Sequence, residues 1–146
     1  MKILAVAWTA CSTAALMIDG EVVALDQDGL PRFDALRSRR RDCSVVFYAF
    51  DLLHLEGFDL TNCPLLARKA LLRRILPKDN TGRIRFTDHV IGSGEALFQK
   101  VEALNLEGMV MKRKDSLYSG LRSRDWLKVR TSAGKTTIEN RIETWG

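Results

Sequence analysis

The sequence predicts an α+β fold, and segments of two clearly different types carry that prediction. "SVVFYAFDLL", residues 44–53, is rich in β-branched and aromatic residues and apolar on both faces, which is typical of a central strand. "PLLARKALLRRIL", residues 64–76, repeats leucine at helical spacing. "EGMVMKR" and "DWLKVR" then indicate two late strands. A length of 146 residues suits one domain with a mixed sheet and a modest core.

The composition is that of a globular protein with a basic surplus. Hydrophobic residues make up 46% and charged residues 28%, and the net charge is +5. That charge favours anionic partners such as nucleic acid or nucleotide. Three cysteines lie far apart with no CxxC pair, so neither a disulfide framework nor a zinc site is indicated. We therefore expect a reduced, cytoplasmic location.

The N-terminal segment, residues 1–16, is apolar and rich in small residues. We expect a short helix or a remnant that leads into the first strand, with a signal peptide as the alternative. Polar residues interrupt it too early for a membrane span, so no membrane partner is expected. "ALMIDGEVVALDQDG" is an apolar run interrupted at residues 19–21, in which Val22 and Val23 favour a strand and "DQDG" forms a turn. "RFDALRSRRR" then indicates a short basic helix, which presents either a solvated face or a DNA-facing surface.

The middle of the chain alternates strand and helix. Gly57 suits the turn after the central strand, because glycine readily takes a positive φ. Pro64 suits the first helical position, with leucines inward and four cations on the other face: Arg68, Lys69, Arg73 and Arg74. "RIRFTDHV" indicates a strand, and Ser93 caps a helix with three inward residues: Leu97, Val101 and Leu104. The tail, residues 131–146, has no coherent period and is expected to be flexible.

Three carboxylates stand beside or within strands where core residues are expected: Glu21, Asp51 and Glu107. Each glutamate neighbours a glycine, which lets another group approach the backbone closely. In a strand, Lys128 and Arg130 would point to one face, where a polyphosphate would balance their charges. A phosphate and Mg²⁺ site therefore competes with the simpler interpretation that these are strand-end residues in water.

Four stretches resemble the motifs of one family when taken in order: "IDGEVVALD", "FYAFDLL", "EGMVMKR" and "YSGLRSRDWLKVR". They are similar to motifs III, IIIa, IV and V of the ATP-dependent DNA ligases, especially the ligase domain of bacterial end-joining ligases. The resemblance implies a partial adenylation domain over residues 17–130. Its fold would be the nucleotidyltransferase fold, ATP-grasp-like, with antiparallel or mixed sheets flanked by helices.

The resemblance also implies roles for single residues. Glu21 would contact the ribose of ATP, and Phe50 would stack on adenine. A place in the hydrophobic core would suit the Phe50 ring equally well. Glu107 would help to hold Mg²⁺, and Lys112 would reach the nucleotide. Lys128 would contact the α-phosphate, and Arg130 stands where the family usually has a second lysine. Trp126 would anchor the last strand. The implied substrate is nicked or broken double-stranded DNA.

The 146 residues contain no KxDG, the family motif whose lysine attacks the α-phosphate, and no C-terminal OB domain is evident. We therefore assign no catalytic nucleophile and expect these residues to be inactive alone. One alternative is a non-catalytic nucleotide- or DNA-binding remnant, or a split-enzyme subunit with a KxDG-bearing companion chain. Others are an RNA ligase or capping-type nucleotidyltransferase, and a degraded reading frame.

Overall fold

The computed structural model describes residues 2–4, 15–32, 35–36, 43–120 and 124–134. The chain forms two compact units, residues 1–88 and residues 89–146. Most of the expected basic helix "RFDALRSRRR" and the tail beyond residue 134 lie outside the described residues.

The first unit is built on a five-stranded sheet. Its strands are β1 (Lys2–Leu4), β2 (Leu16–Leu25), β3 (Ser44–Leu55), β4 (Phe58–Asp59) and β5 (Ile84–Phe86). The first four follow one another as antiparallel neighbours, and β5 pairs with β3 in parallel. The predicted central position of β3 is confirmed, because it pairs with three other strands.

Lys2–Leu4 form a strand, where a short helix or a remnant that leads into the first strand was expected, and residues 5–14 lie outside the described residues. β1 adds to the edge of β2 in antiparallel fashion, and Lys2 stands opposite Glu21 in the register. Pairing satisfies the backbone groups that an edge strand otherwise leaves open, and this tertiary gain decides the structure of so short a segment. The first lysine of the sequence thus lies in the sheet beside the "DGE" stretch.

The helix α1 (Leu65–Ile75) packs against the sheet and differs from its prediction in two ways. Pro64 precedes the first helical residue instead of occupying it. Arg68 and Lys69, expected on the solvent face, are buried together with Leu65 and Leu72. These four residues follow the i, i+3, i+4, i+7 spacing of a single helix face, so the geometry places both cations against the sheet.

Two glycines of the first unit perform the roles that the sequence assigns to them. Glu56 and Gly57 have φ values of 50° and 86°, so the two-residue turn between β3 and β4 resembles a type I′ hairpin turn. Gly20 lies under the Phe47 ring, and a Cβ there would stand 2.4 Å from the ring edge. Close approach to the "DGE" backbone is therefore confirmed, and the approaching group is a core aromatic.

Among its described residues, the second unit combines a helix with a two-stranded antiparallel sheet. Residues 132–134, which follow that sheet, form a short helical turn. Its elements are α2 (Gly94–Ala103), β6 (Gly108–Lys112) and β7 (Trp126–Arg130). The predicted Ser93 cap is confirmed, since its hydroxyl accepts a hydrogen bond from the Ala96 N–H at 3.4 Å. Val101 is buried as predicted, but Leu104 is 69% exposed because the helix ends one residue before it.

Candidate functional site

The register of β6 and β7 brings three cations to one face of the small sheet. Lys128 stands opposite Val110, Lys112 opposite Trp126, and Arg130 opposite Gly108. Directly opposite residues share a face, and residues two apart along a strand share it too. Lys112, Lys128 and Arg130 therefore point to the same side, which we call the cationic face.

Glu107 joins the cationic face from the residue just before β6. Its Oε1 accepts a hydrogen bond from the Lys128 Nζ at 2.8 Å, so these two side chains are in direct contact. The side chains are 39% and 46% exposed. A pair as exposed as this contributes about 0–1 kcal/mol, so an incoming ligand with stronger charges can separate it. A cation would then take the carboxylate, and an anion would take the ammonium group.

Gly108 lets β6 approach β7 closely beside Glu107. A Cβ at this position would lie 2.3 Å from the Val129 carbonyl oxygen and 3.0 Å from the Arg130 Cα. Any side chain would push the strands apart where Glu107 enters the sheet. The glycine of the "EG" pair is thus required by packing, as its sequence position suggested.

Trp126 and Lys112 form the other end of the cationic face. The Lys112 Nζ lies 3.7 Å from the Trp126 ring centroid, a distance suited to a cation–π contact. The Tyr118 ring packs edge-on against Trp126, with centroids 5.4 Å apart. The predicted anchoring role of Trp126 agrees with these contacts, and the ring also orients the lysine beside it.

Glu21 and Phe50 belong to the first unit. Glu21 lies half-buried on β2 opposite Tyr48. Gly20 pairs with Ala49 and Asp19 pairs with Asp51, so Phe50 is the extra residue of a β-bulge. Bulges redirect side chains and are frequent beside active sites. Phe50 is half-buried, so the packing leaves part of its surface accessible.

Asp51 is fully buried and is held by Arg68. Two hydrogen bonds of 2.8 Å join the guanidinium to both carboxylate oxygens, and the Leu52 N–H adds a third at 2.9 Å. Arg68 also donates to the Cys63 carbonyl. Of the three carboxylates singled out in the sequence, Asp51 is thus part of a core ion pair.

Lys69 holds the residue next to Asp51. Its Nζ donates to the Phe50 carbonyl at 3.3 Å and to the Thr87 carbonyl at 2.9 Å. Burial lowers the pKa of this lysine, against the opposing influence of Asp51 and Asp88. Two adjacent cations of α1 therefore fix two adjacent residues of β3. Sequence reasoning missed both, although their spacing from Leu65 and Leu72 was visible.

The predicted site residues thus fall into two sets. Glu21 and Phe50 lie on the first unit, whereas Glu107, Lys112, Lys128 and Arg130 lie on the second. The individual roles that the resemblance implies stay predictions.

In the part of the chain that the structure describes, three or more histidine, cysteine or acidic residues never gather as a metal-binding group. Glu107 offers a single accessible carboxylate, which suits an Mg²⁺ ion whose other ligands are phosphate oxygens and water.

Among the described residues, none of the helices has the length and apolar character needed to cross a membrane.

Residues 4–130 match the family described as ATP dependent DNA ligase domain. The multifunctional non-homologous end joining protein LigD of Mycolicibacterium smegmatis is 35% identical over 114 residues. This match covers 77% of the chain and 15% of that relative. A DNA ligase of Natronomonas pharaonis is 37% identical over 126 residues, or 77% of the chain and 22% of the relative.

A solved structure supports the fold independently. The chain is similar to mycobacterial DNA ligase D complexed with ATP and MES, with a TM-score of 0.68 and 34% identity. The similarity covers 80% of this chain and 38% of that one. The predicted α+β nucleotidyltransferase fold is confirmed by this likeness.

Proposed function

This chain belongs to the ATP-dependent DNA ligase domain family, and from that premise we propose that it binds ATP for the sealing of nicked DNA in repair. One observation supports this proposal most strongly. The cationic face gathers Lys112, Lys128 and Arg130 with Glu107 at its edge. Such a face can bind a triphosphate, and its carboxylate can bind the accompanying divalent cation.

The proposed roles are those that the family resemblance implies for each position. Lys128 contacts the α-phosphate once its pair with Glu107 opens, and Arg130 offers a fork of donors to the phosphate oxygens. Lys112, held beside Trp126, reaches the nucleotide. Positive charge around the phosphates stabilises the charge that develops during nucleotidyl transfer. The family resemblance implies that Glu21 contacts the ribose and that Phe50 stacks on adenine.

Glu107 is the residue that would hold Mg²⁺ in this proposal. When bound, the ion supplies charge neutralisation to the phosphates. Opening the Glu107–Lys128 pair releases the carboxylate for the cation and the lysine for the phosphate at the same time. We therefore propose that nucleotide and divalent cation bind in a coupled way.

The nucleophilic lysine is proposed to lie outside these 146 residues. The match spans 15% of the LigD relative, and the 146 residues contain no KxDG. The lysine would come from other residues of a longer chain or from a companion chain. Lys2 needs separate consideration, because β1 places it opposite Glu21 in the sheet. Nothing else about it resembles the motif, so we propose that it is not adenylated.

Labelled ATP tests this assignment. The 146-residue polypeptide with ATP and Mg²⁺ should form no lysyl-AMP, and Lys2→Ala should change nothing. Adding a peptide that carries KxDG and its flanking strands should place the label on that peptide. Glu107→Ala and Lys128→Ala should abolish the label, whereas Lys78→Ala, an exposed lysine of the first unit, should keep it. Label on the polypeptide alone would contradict the proposed division of roles.

Nicked or broken duplex DNA is the proposed substrate of the complete activity. The net charge of +5 supports an anionic partner of this kind. A cytoplasmic location is proposed for the same protein, because the sequence carries no cysteine pattern typical of an oxidising compartment.

A further inference from the structure

The residues that follow β7 return to the start of β6. Thr131 is 1% exposed, and its N–H donates to the Glu107 carbonyl at 3.1 Å. This bond extends the β6–β7 ladder by one residue beyond the pair formed by Gly108 and Arg130. The Thr131 hydroxyl also lies within hydrogen-bond distance of the Leu106 and Glu107 carbonyls.

Gly134 also contacts both Thr131 and Glu107. Its N–H donates to the Thr131 Oγ1 at 3.2 Å. A Cβ at Gly134 would stand 1.9 Å from the Glu107 carbonyl oxygen and 3.2 Å from the Glu107 Cγ. Only a residue without a side chain fits here. Thr131 and Gly134 therefore enclose Glu107 at both its backbone and the base of its side chain.

We infer that Thr131 and Gly134 are positioning residues for Glu107, and this inference rests on the proposed function of the cationic face. Glu107 precedes the first residue of β6, so the strand pairing alone leaves its backbone less constrained. A carboxylate that binds a cation beside a bound phosphate needs a fixed orientation. The hydroxyl of Thr131 and the missing side chain of Gly134 supply it.

The test compares ATP affinity with and without Mg²⁺ on the 146-residue chain, using a fluorescent mant-ATP probe. Thr131→Val keeps the shape of the side chain but removes the hydroxyl. We expect the ratio of ATP affinity with Mg²⁺ to ATP affinity without Mg²⁺ to fall about 10-fold, which is the usual effect of removing a group that orients a metal ligand. Metal-free affinity should stay unchanged, because Lys128 and Arg130 stay in place.

Two further variants separate positioning from loss of a buried hydroxyl. Thr131→Ser keeps the hydroxyl and should restore the response to Mg²⁺. Ser116→Ala removes another buried hydroxyl of the same unit, which bonds the Arg113 carbonyl at 2.8 Å. It should lower stability without changing the ratio of the two affinities. A similar fall in the ratio of ATP affinities with and without Mg²⁺ in Ser116→Ala would overturn the inference.

The outcomes distinguish this inference from the function on which it rests. If Thr131→Val keeps the full response to Mg²⁺ while Glu107→Ala abolishes it, the positioning role is wrong and the proposed site stands. If the unmodified chain has no Mg²⁺-dependent gain, the proposed site fails and the inference fails with it. Should Thr131→Val unfold, Gly134→Ala must show the same loss. A full response in folded Gly134→Ala would also overturn the inference.

Discussion

Replacing Arg68 with methionine is expected to destabilise the first unit more than any surface change on the same helix. The substitution removes both hydrogen bonds to Asp51 and the one to the Cys63 carbonyl. Asp51 is 0% exposed in the unsubstituted chain, where its other hydrogen bond comes from the Leu52 N–H. A buried charge that loses its partner costs about 3–5 kcal/mol, against a total stability of about 5–15 kcal/mol for a domain.

Urea denaturation followed by far-ultraviolet circular dichroism measures this loss. With a slope of about 2 kcal/mol per M, a loss of 3 kcal/mol lowers the midpoint by roughly 1.5 M. Arg74→Met is the matched control, because Arg74 is exposed on the same helix. Its effect should stay within about 0.5 kcal/mol. A comparable effect of the two substitutions would refute the assignment of Arg68 to the core.

A double-mutant cycle tests the pairing itself. Asp51→Asn removes the charge that Arg68 neutralises, so the combined variant should be more stable than the sum of the single effects predicts. The coupling should exceed about 1 kcal/mol for residues in direct contact. Strict additivity would mean that the two side chains act independently, in contradiction to the two 2.8 Å bonds between them.

The remaining predictions concern other parts of the chain. Gly20→Ala should cost about 1–3 kcal/mol in urea denaturation, because its Cβ would collide with the Phe47 ring, whereas Gly82→Ala has room. Burial lowers the pKa of Lys69, so the unfolded chain binds more protons as the pH approaches the ordinary lysine pKa. The contribution of Lys69 to the free energy of unfolding should therefore rise with pH in that alkaline range. Lys69→Met should remove this pH dependence. Gly108→Ala should weaken mant-ATP binding by displacing Glu107, as affinity measurements would show.

Local patterns predicted much of the fold because tertiary contacts agree with them. The central strand, the turn at Gly57 and the cap at Ser93 each follow from residue types that favour one backbone conformation. The common face of Lys128 and Arg130 follows from strand geometry alone. The pairing of Glu107 with Lys128 was also within reach, since their motifs imply a shared ligand.

Other features depend on contacts that no local pattern encodes. Arg68 and Lys69 were placed in solvent because charged side chains usually are, yet carboxylate and carbonyl acceptors on β3 make their burial favourable. The bulge at Phe50 depends on the register with β2, which hydrophobic periodicity does not fix to one residue. The contacts of Thr131 and Gly134 with Glu107 join residues far apart in the sequence, so the local pattern of the tail does not predict them.

Binding of ATP at the cationic face is the central claim, and paramagnetic nuclear magnetic resonance tests it most directly. Mn²⁺–ATP, titrated into the isotope-labelled chain, broadens the signals of nearby amides. We predict that the amides of Glu107, Gly108 and Lys128 broaden first, while those of the turn at Glu56 and Gly57 stay sharp. Broadening that spares Glu107, Gly108 and Lys128 and appears elsewhere in the chain would contradict the claim.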